Sequence, residues 1–107
     1  MIGWFALLLA GLMEIAWVLG LKYSDGGTRL WPSIGTAAAL GLSFVFLGLS
    51  LRSVPFGTAY AVWTGIGAAG AVILGMLLFE ERADFYRITC LVLIVVGIVG
   101  LRFTVTP

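Results

Sequence analysis

From Ile2 to Leu21 the chain reads IGWFALLLAGLMEIAWVLGL, an apolar run broken by one ionisable side chain, Glu14. A run of this kind leaves few folds open. About 20 residues at 1.5 Å rise cross the hydrocarbon of a bilayer, and lipid offers no partner to an unpaired backbone group, so such a segment closes its hydrogen bonds internally as a helix. The composition extends the point to the whole chain, which is 62% hydrophobic and 10% charged with a mean hydropathy of +1.17. These residues cannot supply the polar surface of a water-soluble domain. The net charge of +1 argues against a nucleic-acid partner, which calls for a clustered basic face. With no His and one Cys, Cys90, a zinc cluster and an intrachain disulfide are ruled out, and no metal or cofactor is expected. Before Lys22 there is neither a basic leader nor a small-x-small cleavage pattern, so the first segment is expected to be a retained helix.

Hydropathy divides the chain into four spans, at about 2–21, 33–51, 56–79 and 85–105, forming one four-helix transmembrane domain over 1–107. Gly26, Gly27 and Pro32 punctuate the first loop, Arg52 to Pro55 forms the second, and Glu80 to Asp84 forms a charged third. The fourth span has fourteen uncharged residues, Ile88 to Leu101, and reaches full length if Arg87 and Arg102 extend to the two interfaces. A water-exposed enzyme site has nowhere to sit, so the chain is not expected to be an enzyme.

Loops one and three carry Lys22, Arg29, Arg82 and Arg87, against Arg52 and Arg102 on the other side. Four against two is a weak orientation bias. An even number of spans with a weak bias is expected to insert both ways and to pair as an antiparallel homodimer; a single topology with a weak signal is the alternative. Four short helices do not enclose a solute path alone, which also calls for a second subunit. Cys90, Gly97 and Gly100 give the fourth span a small-residue surface, assigned to that interface.

Glu14 carries the chemistry. A carboxylate in hydrocarbon is costly and by default marks a functional site. Trp17 lies three residues on and Gly11 three back, so one face offers an anion, an aromatic ring and room for a ligand, which are the elements of a cation site. The bland alternative is a structural carboxylate bonded to a neighbouring helix, but no span has a basic residue at mid-depth to pair with it. Such a carboxylate can hold a proton when empty and a cation when loaded, which is the chemistry of an antiporter. Tyr60 and Trp63 share a face of the third span, deeper than an interfacial aromatic belt lies, and Gly67 continues the stripe. Gly65 and Gly67 suit either a hinge or close packing, and Gly67, Ala71 and Gly75 form a small-xxx-small ladder that lets backbones touch. Ser43 either bonds its own helix or reaches Glu14 from a neighbouring one.

These residues resemble the small multidrug resistance family of bacterial transporters over essentially the full length. The resemblance rests on four spans, on Glu14, on LKYSDGGTRLWPS from Leu21 to Ser33 and on PFGTAYAVWTGIG from Pro55 to Gly67. It implies an all-α, dual-topology antiparallel dimer in the bacterial inner membrane that exchanges protons for cations by alternating access. Where broad drug exporters of the family usually carry Gly three residues after the glutamate, this chain has Trp17, similar to the guanidinium-exporter subtype. The resemblance then implies a site of Glu14, Trp17, Ser43, Tyr60 and Trp63, with Ser43 and Trp17 hydrogen-bonding the glutamate. Cys90 stands where the family's fourth-span motif often begins with Gly, and loop three is unusually acidic. The expected function is proton-coupled export of guanidinium and small substituted guanidinyl cations. A quaternary-ammonium exporter of the same family is the alternative; a dual-topology ion channel and a structural subunit of another complex are remoter ones.

Overall fold

The computed structural model describes residues 2–104. Met1, and the 105–107 stretch holding the last residue of the expected fourth span, lie outside the described residues. Four helices follow in order, α1 (Ile2–Tyr23), α2 (Leu30–Ser50), α3 (Phe56–Leu78) and α4 (Phe85–Thr104). Each is long and apolar enough to cross a membrane, at 20 to 23 residues. Backbone proximity orders them α2, α1, α3, α4 across a slab of 44 × 35 × 16 Å. The thin dimension is little more than one helix, about 10–12 Å across with side chains, so most apolar residues face outward. The buried core is small: Leu7 and Ala10 of α1, Val54 of the second loop, and Ala59, Val62 and Trp63 of α3.

Glycines set the helix spacing. A Cβ at Gly20 would run into the Thr36 side chain, placing the C-terminal half of α1 against the start of an antiparallel α2. α1 and α3 run parallel and in register, with Gly11 facing Ile66 and Ile15 facing Gly70. Gly11 was expected to open room beside Glu14. Instead Ile66 fills that room, and a Cβ at Gly11 would lie 2.6 Å from Ile66 Cγ2 and 2.7 Å from its Cβ. Gly65 likewise receives Ile98 of α4, 2.9 Å from where its Cβ would be, and α3 passes through Gly65 and Gly67 as one continuous helix. Gly97 has no neighbour within 4 Å and lies exposed on α4, as do Gly100 and Cys90. The lower half of the expected small-residue ladder does not bring backbones together: Ala71 and Gly75 line a cavity of about 190 Å³ opposite Ile15, Val18 and Leu19.

The second helix begins at Leu30, before Pro32 rather than after it. Pro32 is in the first turn, where backbone N–H groups have no partner within the helix, so its missing N–H costs nothing. The first backbone bond of α2 runs from the Ser33 amide to the Arg29 carbonyl, 3.1 Å. In loop one, Asp25, Gly26 and Gly27 take positive φ of 54°, 74° and 95°, which two glycines and an Asp tolerate. The buried Ser24 hydroxyl pins this turn, donating to the Leu21 carbonyl at 3.0 Å and accepting from the Gly27 amide at 2.9 Å. Loop three spends two of its acids on structure. Asp84 caps α4 by accepting the Arg87 amide at 2.9 Å, and this amide, with the Arg82 side chain, holds its carboxyl below the usual range. Glu81 folds over Gly75 and pairs with the Arg87 guanidinium at 2.9 Å.

Because Ile66 is branched at Cβ and stiff, a methyl at Gly11 must push α1 and α3 apart. Gly11→Ala should lower stability in detergent by about 1–3 kcal/mol, and adding Ile66→Ala should recover part of that loss. Denaturant unfolding followed by circular dichroism reads both; a Gly11→Ala chain as stable as the parent would refute the contact.

Candidate functional site

Glu14 lies about 18 Å along the axis from Ile2 and about 14 Å from Tyr23, so it sits deep within α1 from either end. It is half-buried against α3, seated over Gly67, where a Cβ would come within 2.9 Å of Glu14 Cγ and Cδ. With no side chain at Gly67, the carboxylate rests there without having to turn aside. Among the described residues Glu14 makes neither a hydrogen bond nor an ion pair; the ion pairs present, Arg82–Asp84 and Arg87–Glu81, both lie in loop three. The desolvation of a carboxylate at this depth is thus left unbalanced by any donor among the described residues.

Trp17 follows on the same face, partly buried. Its indole N–H is shielded from the surroundings and has no acceptor among the described residues. Ser43 is fully buried in α2 and does not reach Glu14. Its hydroxyl donates to the Ala10 carbonyl at 2.8 Å and accepts the Trp63 indole N–H at 2.9 Å. The glutamate contacts that the resemblance implies for Ser43 and Trp17 are therefore absent in this arrangement. Ser43 acts instead one turn away, since the carbonyl of residue 10 is the one that an α-helix pairs with the amide of residue 14. The serine thereby holds the backbone that carries the carboxylate.

Trp63 is the buried end of an aromatic row, 7% exposed. Its ring lies 5.8 Å from Tyr60 at 58° and 5.6 Å from Phe44 at 52°, tilted geometries that suit aromatic pairs. Tyr60 is 54% exposed, on the open side of the row. The structure thus links Trp63, Ser43 and Tyr60 directly, while Glu14 and Trp17 stand on α1 without a hydrogen bond to that group. Two participants were missed from sequence. Ala10 contributes a backbone oxygen, which no side chain announces, and Phe44 was signalled only by its adjacency to Ser43. The cavity between α1 and α3 runs from Ile15 and Ala71 to Lys22, Phe79 and Glu81 without Glu14 in its lining, and Lys22 Nζ lies 5.2 Å over the Phe79 ring.

Removing the Ser43 hydroxyl would strand a buried indole N–H. Ser43→Ala should cost about 1–3 kcal/mol of stability, and in a Ser43→Ala/Trp63→Phe chain the combined loss should fall short of the sum of the two single losses. Strict additivity in such a cycle would mean that the bond is not formed.

The sequence model described as Small Multidrug Resistance protein matches residues 2–94. A protein of Citrobacter freundii named "Guanidinium exporter" is 54% identical over 101 residues, covering 94% of this chain and 96% of that protein. Proteins of the same name from Proteus vulgaris and Escherichia coli (strain K12) are each 50% identical, over 92% and 94% of this chain and 95% and 96% of their own lengths. These relatives are named as exporters, not enzymes, and the four long apolar helices fit a multi-pass membrane protein. With the match extending over most of the sequence, the chain belongs to the small multidrug resistance family.

Proposed function

We propose that this protein exports guanidinium and small substituted guanidinyl cations across the bacterial inner membrane in exchange for protons. The observation that carries the reading is Glu14: a carboxylate deep in a span, seated against Gly67, with no partner among the described residues. Relatives at 50–54% identity bear the name guanidinium exporter, which supports the choice of cation. Guanidinium is flat, permanently charged and rich in N–H donors, so it meets a carboxylate with two parallel hydrogen bonds. Glu14 binds the cation, and Trp17, Tyr60 and Trp63 line its surroundings with aromatic faces. Ser43 holds Trp63 and the α1 backbone in place. The cavity from Ile15 to Glu81 is the approach from the loop one and loop three end.

Coupling follows from competition. A proton and a cation neutralise the same charge, so Glu14 releases one as it takes the other, and access alternates only when the site is filled. The working unit on this reading is an antiparallel dual-topology homodimer holding two Glu14 carboxylates and pairing through the open α4 surface around Gly97. The single transmembrane domain runs over 1–107.

Purified protein in liposomes should give currents with guanidinium that exceed those with a quaternary ammonium ion at equal concentration. Glu14→Gln should abolish the response to both. Trp17→Gly should widen the site and shift preference toward the quaternary ammonium. Parent currents with the quaternary ammonium alone would hand the function to the broad-exporter reading, and proton-coupled flux in Glu14→Gln would refute the scheme.

Topology is tested separately, with C-terminal reporters active only inside or only outside the cell. Signals of comparable strength from both are expected; signal from one side alone would sink the antiparallel dimer.

A further inference from the structure

The two ends of the helix row differ in charge. Loops one and three meet, with Tyr23 against Phe79, and carry Lys22, Arg29, Arg82 and Arg87 beside Asp25, Glu80, Glu81 and Asp84. The other end carries Arg52 and Arg102 and, among the described residues, no carboxylate at all. At this end a groove of about 310 Å³ opens between α1, α3 and α4. Its walls are Trp4, Leu8, Val62, Ile66, Ile98 and Val99, and Arg102 stands at its mouth. The Arg102 guanidinium lies 4.8 Å over the Trp4 ring and makes no hydrogen bond or ion pair among the described residues.

We propose that this groove seats an acyl chain of an anionic phospholipid whose phosphate is held by Arg102. A guanidinium resting on an indole face keeps the donors along its edge free, and their planar fork matches a phosphate bidentately. Arg102 is in the last turn of α4, the depth at which basic side chains reach lipid headgroups. Basic pockets between membrane helices recognise anionic headgroups, and here an end with no carboxylate among the described residues supplies the complementary charge. The hydrocarbon walls below it suit a lipid tail and offer nothing to a solvated ion. This inference does not depend on the transported cation.

The test is native mass spectrometry of the full-length protein with phosphatidylglycerol or phosphatidylcholine of identical chains. The parent should retain phosphatidylglycerol about fivefold better, the effect of one basic side chain beside an anionic headgroup. Arg102→Gln should erase that preference and Arg102→Lys should keep much of it. Val99→Trp, which fills the groove and leaves Arg102 intact, should lose both lipids. An undiminished preference in Arg102→Gln or in Val99→Trp would overturn the proposal. So would displacement of the lipid by inorganic phosphate, which would mark a free-anion site. A Val99→Cys/Cys90→Ser protein that disulfide-links to a second copy would overturn it too, by showing that another chain covers the groove.

Discussion

Two hydrogen bonds in series, Trp63 Nε1 to Ser43 Oγ and Ser43 Oγ to the Ala10 carbonyl, join three helices at the buried centre of the row. The rest of the packing there is apolar: Leu7, Ala10, Ala59 and Val62 touch without direction. Helices in lipid gain little from burying one apolar surface against another, because the alternative neighbour is equally apolar. Directional bonds and close glycine contacts therefore decide the register. The serine satisfies both partners at once, since a hydroxyl donates and accepts. Its position dictates how far α1 is shifted along α3, and hence that Glu14 meets Gly67 rather than a bulkier neighbour.

That register leaves the one acid inside a span without a partner among the described residues, while two acids of loop three are bonded. Asp84 caps α4, and Glu81 closes on Arg87 near the rim, where water shares the cost of the charges. Glu14 has no donor among the described residues, and it has space because Gly67 carries no side chain. A carboxylate kept without a protein partner is open to exchange one counter-charge for another. One that was well bonded would resist release.

Much of this was legible in the sequence because membrane physics acts through length and composition. Twenty apolar residues with one charge have almost no other reading than a spanning helix. What misled was local chemistry read without neighbours. Pro32 marks a break in the sequence pattern, but a first-turn proline loses no bond. Gly11 three residues before the glutamate suggests room for a ligand, and its space belongs to Ile66. The sequence leaves Ser43 between its own helix and Glu14, and the hydroxyl instead bonds a carbonyl on a second helix and an indole on a third. Spacing along one helix says which residues share a face. It does not say which residue of another helix arrives there, and the surroundings of Gly11 and Ser43 both turn on that arrival.

The same limit explains α4. Its sequence is as apolar as the others, but none of its residues is buried within one chain, and its backbone approaches α3 alone. In water such a helix would be driven inward by its hydrophobic surface; in lipid it is not, so exposure carries no penalty that would fold it over the core. Its two faces can therefore serve different neighbours. The Ile98 edge closes on Gly65, while the Gly97 and Gly100 edge has nothing within 4 Å and presents backbone to whatever packs there. Small residues permit close backbone approach, which is the main source of helix attraction once the hydrophobic effect is gone. The other outer helix shares this openness, since a Cβ at Gly35, Gly41 or Gly48 of α2 would also meet nothing within 4 Å, so both edges of the 16 Å row leave backbone accessible to a neighbour.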